Sequence, residues 1–221
     1  HQSICGYILK KDSPSCGMER VRVYRKDQPQ RKGTGVYAQQ LINNFPHLPV
    51  EEEGRLGDPV LRENFIQRVL IFHRWRTLME AHPKPADITQ FHARHKLILM
   101  SHDQTRYREL GKLVADISNW HIEKFCAHYL TELMAILGIP ASRKNHVNVL
   151  QHIQGYLKRD LDKEDKRELT ETIHQYRLGL LPLIVPITLL RHHFRKAPND
   201  YINQSYYMDP HPSELMLLNE L

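Results

Sequence analysis

Ser13-Pro14-Ser15-Cys16-Gly17 is the stretch of this sequence best equipped for chemistry. A cysteine between serine and glycine, just after a strand-like run over residues 4–9, has a thiolate stabilised by backbone N–H donors and by basic neighbours, here Lys10, Lys11 and Arg20. Such surroundings favour metal ligation or nucleophilic attack, with an inert structural cysteine as the competing reading. One thiol cannot hold an iron-sulfur cluster, and Cys5 and Cys126 add no recognisable ligand spacing. A second constellation, Phe91-His92-Ala93-Arg94-His95-Lys96, sets His92 and His95 three residues apart on one helix face, with His102 farther on. The spacing permits zinc, but no acid or thiol stands where it would complete the site, so surface or hydrogen-bonded core histidines are expected.

The third constellation opens with Arg143 and Lys144 and runs on to Lys158. Val149, Leu150 and Ile153 face the core of a helix here, which leaves Asn148, Gln151 and His152 on the other face. Cations at a helix N-terminus oppose its dipole. A phosphate shared with the first N–H groups reconciles them, and a solvated basic cap is the alternative. Farther on, residues 182–193 read as a buried helix entered through Pro182 and Pro186, with Arg191 and His192 emerging at its C-terminal end, where positive charge suits the dipole.

The elements that must carry these residues differ along the chain. Residues 1–24 alternate short β-type runs around a turn, as at the edge of an α/β unit. Residues 25–35 hold almost no apolar side chain but do hold Pro29, Gly33 and Gly35, which predicts a mobile basic loop presenting Arg25, Lys26, Arg31 and Lys32 to phosphates. A helix follows over about 35–44, then a short parallel strand over 48–50 with Glu51, Glu52 and Glu53 at its end, where α/β sheets gather their sites. Asp58-Pro59 offers an N-cap with proline at the first helical position. From there the periodicity is helical: Leu61, Phe65, Val69, Phe72 and Met79 form one stripe, and Ile122, Phe125, Cys126, Tyr129, Leu133 and Leu137 another. Breaks near 83–85, 101–103, 138–140, 160–162, 179–182 and 197–198 divide residues 86–196 into five or six helices. The apolar segment around Leu215, Leu217 and Leu218 is expected to dock on the helical body.

Composition bounds the answer. The chain has 221 residues, 41% hydrophobic and 25% charged, which excludes a disordered or fibrous protein. Its apolar run at 178–190 is interrupted by Gly179, Pro182 and Pro186 and is shorter than the ~20 residues that span a bilayer, so no membrane association is expected. A net charge of +6 suits a polyanionic partner, and fifteen histidines predict a steep rise in charge below about pH 7. Three cysteines without regular spacing point to a reducing cytoplasm. The chain starts with His1 and enters directly into a strand, as a piece of a longer protein would.

These motifs carry a resemblance. Residues 86–218 resemble the YbgA-like domain through Phe91-His92-x-x-His95-Lys96, Leu110-Gly111, Asn148-Val149-Leu150-Gln151-His152-Ile153-x-Gly155-Tyr156, residues 182–192 and Tyr201-x-x-Gln204. Residues 1–75 resemble the C-terminal part of the TudS-like thiouracil desulfurases through Gly6-Tyr7-Ile8-Leu9-Lys10, Ser13-Pro14-Ser15-Cys16-Gly17-x-Glu19-Arg20 and Leu48-Pro49-Val50-Glu51-Glu52-Glu53-Gly54-Arg55. The resemblance implies an α+β chain overall, a truncated α/β N-terminal portion followed by an all-α helical domain. It also implies a [4Fe-4S] cluster in the complete protein, held by three cysteines, which takes sulfur from a thiolated uracil. In the RudS-type pairing of these two domains the implied substrate is 4-thiouridine in tRNA. Cys16 matches the last of the three cysteines, and the other two have no counterpart here, so this fragment is expected to hold no cluster. The implied partner is tRNA, contacted by the basic loop and by Arg143, Lys144, His152 and Lys158. His92, His95, Lys96, Asn148, Gln151, Arg191, His192 and Gln204 are further polar site candidates. A non-catalytic helical module for a protein or small ligand is the alternative.

Overall fold

The computed structural model describes residues 4–19, 21–25, 28–212, 215 and 217–219, the side chains of 22–25 and 28–32 excepted. The chain divides into two compact units, residues 1–77 and 78–221.

In chain order the first unit contains β1 (Tyr7–Leu9), β2 (Val21–Arg25), β3 (Gln28–Gly33), α1 (Val36–Asn44), β4 (Val50–Glu52) and most of α2 (Pro59–Glu80). Strand β4 lies parallel to β1, with Tyr7 opposite Val50 and Leu9 opposite Glu52. Parallel neighbours need a crossover, and α1 lies within it. Its Ala38 and Leu41 join Leu9, Leu48 and Val50 in a small core completed by Tyr7, Met18, Phe45 and Phe72. Gly6 lets the chain entering β1 lie directly on α2, since a Cβ there would fall 2.5 Å from the Val69 side chain. Helix α2 starts as its sequence signals, with the Asp58 carboxylate accepting from the Leu61 N–H (3.1 Å) ahead of Pro59. Its most buried residues, however, are Ile71 and Trp75, and of the expected stripe only Phe65 is equally covered.

The mobile basic loop expected at 25–35 is instead half of a hairpin: β2 and β3 pair antiparallel, with Arg25 opposite Gln28 and Tyr24 opposite Pro29. Ladder hydrogen bonds join backbones, so a segment without apolar side chains can still pair, and in a two-stranded ribbon Pro29 has an edge available for its missing donor. Arg25, Arg31 and Lys32 are thus strand residues, and Lys26 lies outside the described residues.

The second unit is helical: α3 (Pro85–His102), α4 (Gln104–Ala115), α5 (Ile122–Leu137), α6 (Arg143–Tyr156), α7 (Lys163–Leu178), α8 (Ile184–Lys196) and the single turn α9 (Asp200–Asn203). Helix α3 packs against α4, α5 and α6, while α7 lies beside α6 and α8. The expected stripe on α5 is core, with Phe125, Tyr129, Leu133 and Leu137 sealed from solvent. Side-chain caps start the helices, Asp103 for α4, Ser142 for α6 and Asp162 for α7, and Gly179 ends α7 in the left-handed conformation at φ 80°. A break the periodicity does not signal falls at 116–121, where the Asp116 carboxylate accepts from Asn119 and from the Trp120 indole. The tail docks as expected: Leu217 and Leu218 are buried, and the Leu218 carbonyl accepts from the Ile184 N–H (3.0 Å). The α+β architecture read from the sequence is the one observed. No described helix is long and apolar enough to cross a membrane.

Asp103 Oδ1 accepts from the N–H groups of both Thr105 and Arg106 where α3 hands over to α4. Asp103→Ala should lower unfolding free energy by about 1 kcal/mol, read as a lower urea midpoint with an unchanged slope.

Candidate functional site

In the first unit, Cys16 sits on the turn that follows the carboxyl end of β1. The turn is closed by backbone bonds: the Ser13 carbonyl accepts from Gly17 N–H (2.8 Å), and the Ser13 hydroxyl accepts from Cys16 N–H (3.2 Å). The Ser15 carbonyl takes the first free donors of α1, Tyr37 N–H (2.9 Å) and Ala38 N–H (3.2 Å), so the helix N-terminus is spent on this turn. Gly35 permits the approach. A Cβ there would stand 2.3 Å from the Ser15 carbonyl group and 2.7 Å from the Cys16 nitrogen. From the other side Glu52, buried on β4, accepts from Met18 N–H (3.1 Å). The thiol itself is half-buried, 3.4 Å from the Ser15 hydroxyl.

Of the basic residues expected around this thiol, one is engaged in an ion pair. Lys10 pairs with Glu53 (2.6 Å), the Lys11 side chain lies along Gly54, and Arg20 falls outside the described residues. Glu51 is buried in an ion pair with Arg55 (2.7 Å), which also holds Glu19 (2.8 Å), and Arg68 stands 3.7 Å from it. The acids at the strand end therefore tie β4 to the chain around it. Near the turn, Tyr37 donates to the Tyr7 hydroxyl (3.1 Å), and this bond together with burial raises the Tyr37 pKa. Glu52 reads in the sequence as one of three acids at a strand end, with no role given, and nothing there marks Gly35, the Gly33-Thr34-Gly35 run reading as loop.

A [4Fe-4S] cluster needs several thiolates. Among the described residues no three His, Cys, Asp or Glu side chains gather where a metal could sit. The Cys5 sulfur faces the Arg76 guanidinium (3.8 Å), and in the helical unit burial pushes the Cys126 thiol pKa up. The residues present do not by themselves fit a cluster.

In the second unit the histidine pair is core, as expected, and its rings serve separate partners. His95 is sealed between Phe91 (4.1 Å between ring centres) and Tyr206 (4.7 Å), with Nδ1 2.7 Å from the Phe91 carbonyl. His92 Nδ1 meets the Tyr129 hydroxyl (3.1 Å), and burial, helped by the Lys96 charge, lowers its pKa to about 4. Tyr129 is fully buried, which raises its pKa, so its hydroxyl keeps its proton. Arg191 and Gln204, offered as site residues, hold the tail. Arg191 donates to the Met208 carbonyl through Nε (2.5 Å) and Nη2, and the Gln204 carbonyl accepts from Arg94 (3.2 Å). His192 is exposed beside the buried His193.

On α6 the structure separates two cations the sequence joined. Arg143 turns to the last turn of α7, donating to the Tyr176 carbonyl (2.7 Å) with its guanidinium 4.9 Å over the Tyr176 ring. That carbonyl end of α7 is where positive charge is favoured, and this resolves the conflict with the α6 dipole without an anion. Lys144, Asn148, Gln151, His152 and Lys158 are exposed. His152 stands edge-on to Tyr156 (5.5 Å), and Tyr156 lies against Tyr201 (5.6 Å), while Lys96 on α3 sits over Tyr201 (6.0 Å). The tyrosines of this cluster lay in the motifs already noted, but nothing in the spacing assigned them a role.

The chain thus carries a cysteine turn beyond a pair of parallel strands in its first unit and a helical body with buried histidines in its second. Residues 96–212, over half of the chain, match the family model described as a protein of unknown function (DUF1722), and the chain belongs to that family. Residues 1–53 match the model of 2-thiouracil desulfurase. The chain is similar to the uncharacterized protein YbgA of Escherichia coli (strain K12), 30% identical over 151 residues that make up 68% of this chain and 89% of the relative. No solved structure matches.

Two outcomes follow from this geometry. Gly35→Ala should destabilise the first unit by about 1–3 kcal/mol through overpacking against backbone and should speed thiol labelling of Cys16; a labelling rate equal to the native one counts against the cradle. The second concerns pH. Burial holds the His92 pKa at about 4 and, with the charges of His102 and Arg143, that of His146 at about 3. Both are lowered, so below about pH 6.5 the unfolded chain binds more protons than the fold. The steep folded-state titration expected from fifteen histidines is therefore blunted. Urea midpoints should be flat above about pH 6.5 and fall toward pH 4.5, by up to about 1.4 kcal/mol per pH unit for each of the two histidines.

Proposed function

We propose that this chain is part of a tRNA thiouridine desulfurase, with sulfur removed from 4-thiouridine or 2-thiouracil by the complete enzyme and the helical unit holding the RNA. The match of residues 1–53 to 2-thiouracil desulfurase supports the desulfurase part of this reading, and the DUF1722 match supports the pairing of the two segments. Where the complete enzyme supplies further thiolates, Cys16 would be one ligand of a [4Fe-4S] cluster, and a reducing cytoplasm is the compartment that cluster chemistry requires.

The observation that carries the RNA role is the outward face of α6. Lys144, Asn148, Gln151 and His152 are exposed along it, Lys158 and Arg159 follow, and no acidic residue occurs between 143 and 159. Exposed donors and acceptors on an acid-free face suit a phosphate backbone. A small-ligand module would instead need Asn148, Gln151 and His152 turned inward to line a pocket.

The test is tRNA affinity of the chain measured by fluorescence anisotropy between about 50 and 200 mM salt. Binding should weaken with a log–log slope of about 0.7–0.9 per phosphate contacted, and Lys144→Ala with Lys158→Ala should lower that slope by roughly 1.5. Arg143→Ala should mainly lower stability. Absence of binding at low salt, or a slope the double variant leaves unchanged, rules the reading out.

A further inference from the structure

The helical unit gathers Lys96 from α3, Tyr107 from α4, His152 and Tyr156 from α6 and Tyr201 from α9 into one cluster. Lys96 has its ammonium 6.0 Å from the centre of the Tyr201 ring, and among the described residues no carboxylate pairs with it. The Tyr201 hydroxyl is closed off from solvent and has no hydrogen-bond partner. Burial, with the proximity of Tyr156 and of Tyr107 on α4, pushes its pKa up to about 12, so it remains a donor. The charge of Lys96 adds to burial in lowering the pKa of both His92 and His152. Lys96 is thus a cation over an aromatic ring, close enough to both histidines to lower their pKa, and an anion is a partner its ammonium can take.

The same cluster carries a flat apolar surface. Tyr156 is 40% exposed on an otherwise polar helix face, braced by His152 edge-on at 82° and by Tyr201 tilted at 36°. Its neighbour Gly155 leaves open space: a Cβ there would meet nothing within 4 Å. Tyr156 lies against Tyr201, over whose ring Lys96 stands, so an exposed aromatic ring and an ammonium share one cluster, the pairing that a stacked base and its phosphate use.

We propose that Lys96, His152, Tyr156 and Tyr201 form a subsite for one nucleotide unit of an RNA strand, with the base stacked on Tyr156 and the phosphate taken by the Lys96 ammonium. Its natural occupant rests on the RNA reading above, while the subsite itself is testable without tRNA. Stacking is tolerant of base identity, so the subsite captures an unpaired nucleotide rather than selecting a sequence.

The experiment compares uridine monophosphate, uridine and inorganic phosphate by calorimetric titration of the full chain. The monophosphate should bind at least about tenfold more tightly than either half alone, since it makes both contacts. Tyr156→Ala should weaken it about fivefold or more. Lys96→Met should erase the advantage of the monophosphate over uridine, and Lys96→Arg should restore most of it. Tyr156 is exposed, so its variant keeps the test decisive if Lys96→Met fails to fold. A monophosphate that binds no better than phosphate, or that ignores Tyr156→Ala, overturns the subsite. If tRNA binds with its expected salt slope but uridine monophosphate does not compete and Tyr156→Ala has no effect, the subsite falls and the RNA reading stands. If the monophosphate binds as described and tRNA does not, the subsite stands and the RNA reading falls.

Discussion

Helix α3 has little face left for water, and the helical unit depends on that. Ile88, Leu97, Ile98 and Leu99 are fully buried, and so is His95 among them. A helix covered on nearly every side must find a partner for each polar group it carries inward, because an unpaired one costs as much as several buried methyl groups give back. His95 turns Nδ1 to the carbonyl one turn earlier, His92 meets Tyr129 from α5, and the Ser101 hydroxyl donates to the Ile98 carbonyl (2.7 Å). The tail follows from the same constraint. Arg94 lies over Tyr206 and donates to the Gln204 carbonyl, and Tyr206 closes the open side of His95. Arg94 thus has a carbonyl to donate to, whereas Lys96 lies over the Tyr201 ring.

In the first unit the governing contact is smaller and of another kind. The Ser15–Cys16 peptide lies against Gly35 with no room for a side chain, and α1 uses its first amides to hold the Ser15 carbonyl. With Glu52 bonded to Met18 on the other side, the cysteine is placed by backbone hydrogen bonds from a helix and by a carboxylate from a strand. A turn fixed from two sides points its thiol in a set direction. Nearby charges are paired off among themselves, Lys10 with Glu53 and Arg55 with Glu19 and Glu51. The arrangement thus supplies position more than electrostatic activation, as suits a ligand in a larger assembly.

Much of the fold was legible where a local rule and the global structure agree. Asp58-Pro59 marked the start of α2, Gly179 the end of α7, and the stripe through Phe125, Tyr129, Leu133 and Leu137 the buried face of α5. The parallel strand at Val50 was also legible. The hairpin of β2 and β3 was not, because backbone pairing leaves no mark on a polar composition. Nor was the break at 116–121, where hydrogen bonds of one aspartate do the work usually signalled by glycine or proline. Cys16, His92 and His152 could be singled out by residue type and spacing, and Glu52 by its strand, whereas the roles of Gly35, Tyr129 and Tyr201 could not. Their roles arise from contacts with residues far away in the chain.

What the sequence determined alone is the helical body from residue 86 onward, the buried face of α5 and the family, since these depend on local periodicity, caps and motifs read along the chain. Only the tertiary structure decided what each polar residue is for. Arg143 reads as a cation at a helix start, and the fold makes it the partner of another helix's carbonyl end. Arg191 reads as a site candidate, and in the fold its guanidinium also holds the Met208 carbonyl of the tail. Lys96, one motif residue among several, is placed by the fold over the Tyr201 ring. The physical reason is the same in each case: a side chain's charge and hydrogen-bonding capacity belong to the residue, but the groups that satisfy them, or fail to, are brought by packing from other parts of the chain.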